Sequence, residues 1–233
     1  MNMNCLFIEA GSERILIDTG IGDKWSDKHR EMYGIDRQRS LNDSLKAIAG
    51  VGSEDITIVI NTHLHFDHAG GNTKLDESGK ATPAFPNARY FISQAELEHA
   101  EAPSDRDRAS YFPDNWRPVK ESGQLELKEA EYEVVPGLWM ETHAGHNRSM
   151  QCPRLEQNGQ TLFGFADLIP TRAHMPFAWV MGYDLYPLET VEAKKKLLPQ
   201  AARENWTCLF YHDAEQALGR ISNTDGKFRV TLV

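Results

Sequence analysis

The twelve residues Asn61-Thr-His-Leu-His-Phe-Asp-His-Ala-Gly-Gly-Asn72 constrain this chain more than any other stretch, because His63, His65, Asp67 and His68 fall within six positions. Imidazole nitrogen combined with carboxylate oxygen suits Zn²⁺ or a similar divalent first-row ion at a hydrolytic site. The apolar, β-branched run Ile56-Thr-Ile-Val-Ile60 just before it reads as a buried strand. The four side chains then sit on the loop leaving the strand's C-terminal end, where a rigid element holds them. In extended backbone alternate side chains share a side, so His63 and His65 can reach one ion. Asp67 and His68 point differently, which suggests a second ion beside the first. A polar loop merely rich in histidine would leave the agreement of residue type, spacing and preceding strand unexplained.

A chain of 233 residues is long enough to bury a real core, and no repeat, low-complexity tract or linker divides it. It reads as one domain over residues 1–233. The formal charge of −9 and the absence of a basic patch exclude nucleic acid as the principal partner. Lys194-Lys-Lys196 is too short for such a patch and reads as the solvated face of a helix. No apolar run approaches the roughly 20 residues that span a bilayer, so no membrane partner is expected. The N-terminus lacks a basic region and a cleavage site, which points to a cytoplasmic protein. Cys5, Cys152 and Cys208, odd in number and scattered, read as buried reduced thiols.

Residues 4–10 and 14–18 form a hairpin ending at Asp18, a residue that either orients a ligand or caps a turn. Residues 23–33 read as a helix or ordered loop with His29 exposed. Ser40 caps a helix through Ala49 with Leu41, Leu45 and Ile48 on one face. Residues 73–88 read as a surface loop, 89–92 as a strand, and 93–102 as a helix with His99 outside. The aromatic-bearing insertion 103–119 either walls a pocket or packs on the surface. Strands follow at 124–127, 132–135 and 138–142, the last leading into Thr142-His-Ala-Gly-His-Asn-Arg-Ser149. The apolar runs Thr161–Ala166 and Trp206–Tyr211 end at Asp167 and His212, with an amphipathic helix, 187–205, between them. Strands that each end in His or Asp are what a sheet delivering ligands to one edge requires.

With His63, His65, Asp67, His68, His146, Asp167 and His212 in this order, nearly the whole chain resembles the metallo-β-lactamase superfamily. The resemblance implies a mixed α/β, four-layer αββα sandwich. It implies two divalent ions, zinc foremost: His63, His65 and His146 on one, Asp67, His68 and His212 on the other, and Asp167 bridging. His146 is preferred to His143 because Gly145-His146 matches the family's Pro-Gly-His. Within the superfamily His65–Asn72 and Phe210-Tyr-His-Asp-Ala-Glu-Gln216 are most similar to the N-acyl homoserine lactone lactonases and organophosphate hydrolases. Three departures stand out. Ala144 replaces the usual Pro, Ala166 replaces the usual Gly before the bridging Asp, and the chain begins late, so a smaller first sheet or a truncated start is expected.

The activity so implied is hydrolysis of a small ester, lactone or related acyl substrate by a metal-bridging hydroxide, with Asp67 and Asp167 in the reacting centre. Asp213 beside His212 either orients the imidazole or caps a turn. The segment Leu168–Asp184, rich in aromatics and Met, reads as the substrate pocket, with His174, Tyr183 or Tyr186 as hydrogen-bond donor to the oxyanion. The other readings kept open are a phosphotriester hydrolase and an iron-dependent oxidoreductase resembling the persulfide dioxygenases. The expected partner is a small molecule, and a homodimer is an assembly open to the chain.

Overall fold

A computed structural model describes residues 1–36 and 39–233. Strand β1 (Leu6–Ala10) turns at Gly11 into β2 (Glu13–Ile17), and β3 (Ile58–Ile60) follows after α1 (Asp27–Tyr33) and α2 (Leu41–Ala49). Beyond β3 lie α3 (Phe66–Ala69), the small hairpin β4 (Thr73–Leu75) and β5 (Ala81–Pro83), then β6 (Arg89–Ser93), α4 (Gln94–Glu101), α5 (Arg117–Glu121) and β7 (Leu125–Lys128). The second half supplies β8 (Glu131–Val135), β9 (Leu138–Thr142), β10 (Gln151–Gln157), β11 (Gln160–Gly164), α6 (Pro187–Arg203), β12 (Thr207–Leu209), β13 (Leu218–Thr224) and β14 (Lys227–Leu232). One sheet has five strands in the order β1-β2-β3-β6-β7, the other seven in the order β14-β13-β12-β11-β10-β9-β8.

Side-chain alternation along the strands produces the layers. In β2 and β3, Leu16 and Val59 face Leu45 of α2 and Val119 of α5. Their neighbours Ile15, Ile17, Ile58 and Ile60 face the other way, onto Leu138 and Met140 of the second sheet. That sheet's far side, with Phe163, Cys208 and Ile221, is covered by Leu197, Leu198 and Ala201 of α6. The result is helix, sheet, sheet, helix, the sandwich the resemblance implied. Each fully buried Ile, Leu or Phe in these interfaces contributes about 1.5–3 kcal/mol.

Four local expectations need correction. Ile48 is 85% exposed, because α2 turns Leu41, Leu45 and Ala49 to the sheet. Residues 73–88 contain the β4–β5 hairpin. His99 is half-buried, its Nε2 2.6 Å from Asp107 Oδ2, since the chain after α4 folds back over the helix. Lys194 is fully buried, for the reason given below. Cys152 and Cys208 are buried as expected, Cys5 only partly, and none is in a disulfide. Among the described residues no helix is long and apolar enough to cross a membrane.

Candidate metal centre

Strand pairing brings the polar residues to one place. β2 runs parallel to β3 with Ile17 opposite Ile60, so Asp18 and Asn61 leave the first sheet at the same edge. β11 runs parallel to β12 with Gly164 opposite Leu209, so Asp167 and His212 leave the second sheet together. A backbone bond from Gln151 N to Thr62 O, 2.9 Å, ties the two edges and brings the loop after β9 alongside. Close backbone contacts complete the arrangement. A Cβ on Gly70 would lie 2.2 Å from the Ile21 carbonyl, so the turn after α3 has room only for glycine. Ala166 takes φ 45°, a left-handed conformation costing about 1–2 kcal/mol without glycine's freedom, immediately before Asp167.

All seven candidate ligands converge. Their donor atoms form three groups, each within 4.8 Å: His63, His65 and His146; His63, His68 and Asp167; and Asp67, His68 and His212. Asp167 lies between the others, with Oδ1 3.1 Å from Nε2 of both His68 and His212 and Oδ2 3.5 Å from Nε2 of His146. His212 Nε2 is also 3.4 Å from Asp67 Oδ2, and His146 Nε2 is 3.0 Å from His65 Nδ1. Within this buried cluster His63 Nε2, His68 Nε2 and Asp167 Oδ1 have no hydrogen-bond partner among the described residues, while His65 turns Nδ1 toward His146 Nε2. Buried polar atoms left without partners are costly. Bare nitrogen and oxygen donors aimed at a common space therefore fit divalent cations.

The electrostatics divide the cluster. Burial, reinforced by the neighbouring imidazoles, holds His63 and His65 well below the usual histidine range, so both stay neutral with lone pairs available. His68 is raised well above it, because Asp167 and Asp18 outweigh burial. Burial alone would lift Asp167, yet His68, His212 and His146 hold it well below the carboxylate range.

The opposite ring nitrogens are fixed by other groups. Asp18 resolves to the orienting role: Oδ2 is 2.9 Å from His68 Nδ1, and its two oxygens accept from Thr62 N and Thr62 Oγ1 at 2.8 Å. His212 Nδ1 lies 2.9 Å from the Asn2 carbonyl rather than near Asp213. Asp213 instead pairs with Arg172 at 2.9 and 3.0 Å, which corrects the alternative that had it steering His212. Asp184, which nothing in the sequence marked, plays that part for His146, at 3.1 Å from Nδ1. His143 lies 3.5 Å from Glu141 and edge-on to Phe163, apart from the cluster as expected.

Of the three donor candidates, Tyr183 is half-exposed with its ring 6.2 Å from that of His146. Burial, then Asp167, Asp67 and Asp184, push its phenol up to about 12. His174 is bound to Thr171 Oγ1 at 2.8 Å and lowered by burial and by Lys194. Tyr186 lies under the Arg148 guanidinium, 4.4 Å from its ring. Lys194 reaches from α6 to the carbonyls of His174, Pro176 and Trp179 at 2.6 to 2.8 Å. Burial lowers its ammonium to about 8, still protonated at neutral pH, so each of its three hydrogens meets a carbonyl.

A second aromatic cluster involves the insertion 103–119, which the sequence leaves either walling a pocket or packing on the surface. Phe66, inside the histidine motif, stacks on Phe112 at 5.4 Å, and Trp25 meets both edge-on at 5.4 and 5.7 Å. Trp25 and Phe112 line a cleft of about 430 Å³ with Ile21, Lys24, His29 and Asn115. The insertion 103–119 is thus a pocket wall. The aromatics of the insertion marked it in the sequence; its partners Trp25 and Phe66 were not marked.

A family model described as the metallo-beta-lactamase superfamily matches residues 2–152. An N-acyl homoserine lactonase of Bacillus cereus is 27% identical over 231 residues, covering 92% of this chain and 82% of the relative. A solved structure of a probable metal-dependent hydrolase from Staphylococcus aureus is 31% identical with a TM-score of 0.87, covering 99% of this chain and 83% of that one. A dizinc quorum-quenching lactonase, solved in complex with a product, is 22% identical and shares the fold with a TM-score of 0.80 over 99% of this chain and 79% of its own. The chain belongs to the metallo-beta-lactamase superfamily and is a metal-dependent hydrolase.

Proposed function

We propose that the chain hydrolyses a small lactone, ester or related acyl substrate at two divalent ions, zinc being the ion its donors suit best. The observation that carries this reading is the position of Asp167, with one oxygen toward His68 and His212 and the other toward His146, beside bare histidine donors. On this reading His63, His65 and His146 hold one ion, Asp67, His68 and His212 the other, and Asp167 bridges them. Ions held there would supply Lewis acidity and a nucleophile drawn from water at neutral pH.

The chain's own groups do the rest. Asp167 accepts the proton released as the nucleophile attacks the carbonyl carbon and gives it to the departing alkoxide oxygen as the acyl–oxygen bond breaks. Tyr183, a phenol that stays protonated at neutral pH, donates a hydrogen bond to the oxygen on which charge develops. Trp25, Phe66 and Phe112 hold the apolar part of the substrate and exclude water. An aromatic wall with one phenolic donor suits an acyl chain better than a sugar. The lactonase names of the curated relatives support the same substrate class.

A panel of lactones, aryl esters and phosphotriesters, assayed with the metal-loaded parent and His65→Ala, tests this. Lactone or ester turnover that falls by at least about 100-fold in the variant is expected. Undiminished turnover in His65→Ala would sink the assignment, and preferential turnover of phosphotriesters would replace the acyl reading.

A further inference from the structure

One buried carboxylate outside the ligand set touches every segment that carries the His63, His65 and His146 donors. Glu96, on the first turn of α4, is 1% exposed. Its Oε1 accepts from Leu64 N at 2.8 Å and from Tyr111 Oη at 3.2 Å. Its Oε2 accepts from Asn147 Nδ2 at 3.0 Å and from the Ser149 hydroxyl. Leu64 lies between His63 and His65, Asn147 follows His146, and the Tyr111 ring stands edge-on to His65 at 4.7 Å.

All four partners donate, and an ionised carboxylate only accepts, so the match is complete in one protonation state. Asn147 has no freedom to reverse its amide, because its Oδ1 accepts from Ser149 N and Met150 N at 3.0 and 2.6 Å. Resting on the reading that His63, His65 and His146 hold one ion, we propose that Glu96 is the positioning residue for that half of the centre. The other half is held by different groups: Asp18 for His68, the Tyr211 hydroxyl for the Asp67 carbonyl, and the Asn2 carbonyl for His212. The proposal therefore predicts a selective defect.

Glu96→Gln keeps the shape but introduces an amide N–H opposite Leu64 N or Asn147 Nδ2, so at least one segment is released. Zinc content and chelator-competition titration of the full chain should show one ion held as in the parent and the other about 10–100-fold more weakly. At limiting zinc kcat should fall with KM within about threefold, and added zinc should restore it. Ser149→Ala, which removes one donor and leaves no unpaired charge, should shift the same ion in the same direction by a smaller factor. It decides the matter if the Gln variant does not fold. Parental affinity for both ions in Glu96→Gln, or in Ser149→Ala where only that variant folds, overturns the proposal. His65→Ala run in parallel separates the causes. If it too keeps both ions, the ligand reading fails and takes the proposal with it; if it loses one while the Glu96 and Ser149 variants do not, only the role of Glu96 is wrong.

Discussion

The carboxylate of Asp184 lies 3.1 Å from Nδ1 of His146 and accepts the Thr190 hydroxyl on its other oxygen at 3.0 Å. This arrangement places the imidazole proton on Nδ1 and turns the Nε2 lone pair toward the cluster. Thr190 sits in the first turn of α6 and packs against Gly145, where a Cβ would come within 2.5 Å of its hydroxyl. Asp184→Asn should therefore weaken zinc binding by about 10–100-fold in a chelator titration. Thermal unfolding of the metal-free chain should shift by only a few degrees, since the amide still reaches Thr190.

Tyr183 tests the other side of the reaction. Its hydroxyl is the only part removed in Tyr183→Phe, and the residue is half-exposed, so stability and zinc content should stay at the parent's level. Loss of one donor to a developing oxyanion reduces kcat by about 10²–10³-fold. A reduction confined to KM would mean that the phenol binds the ground state only and takes no part in the chemistry.

The convergence of the seven candidate residues was legible in the sequence because each follows an apolar strand, and strand pairing then carries it to a common edge. Contacts made by the chain doubling back were not legible. Asp213 was a candidate for steering His212 because it is its neighbour, yet it turns to Arg172 and leaves that task to the Asn2 carbonyl. Asp184 is 38 residues from the histidine it orients. Lys194 sits in a charged run that reads as solvated, and only the segment 174–179 lying over α6 buries it. The layers were readable from period-two alternation, whereas the exposure of Ile48 depends on how α2 rolls over the sheet.

The aromatic wall predicts chain-length selectivity. Phe112 stacks on Phe66 and is only partly buried, so Phe112→Ala removes wall without opening the core. Each methylene no longer covered costs about 0.8 kcal/mol. The kcat/KM for a long acyl chain should drop by about tenfold or more, while that for an acetyl ester stays within about twofold. Equal losses for short and long chains would place the acyl group elsewhere.

Lys194 predicts a stability effect that a surface lysine would not show. Lys194→Met keeps the stem and deletes the ammonium, leaving the carbonyls of His174, Pro176 and Trp179 without their donor. Fully buried acceptors stripped of a partner cost about 1–3 kcal/mol each, and less here because Pro176 and Trp179 are exposed residues. Urea unfolding should show a loss of about 2–4 kcal/mol, and Lys195→Met, on the exposed side, a change within about 0.5 kcal/mol.

Asp107 gives the pH dependence. Burial would raise its carboxyl, but hydrogen bonds from Ser104 Oγ and His99 Nε2, both at 2.6 Å, outweigh this and hold it below the usual aspartate range. An unfolded aspartate titrates near about 3.9, so the folded state binds its proton at lower pH than the unfolded one. The stabilisation is complete above that value and is lost as pH falls through the folded value. Asp107→Asn should then be less stable than the parent by about 1.5–3 kcal/mol at pH 7, the range for hydrogen bonds to a charged group. In urea titrations of the metal-free chain that gap should hold down to about pH 5, narrow below about pH 4 and close at lower pH. A gap unchanged between about pH 5 and 3 would show that the hydrogen-bond geometry, and not the charge on Asp107, stabilises the turn between α4 and the aromatic wall.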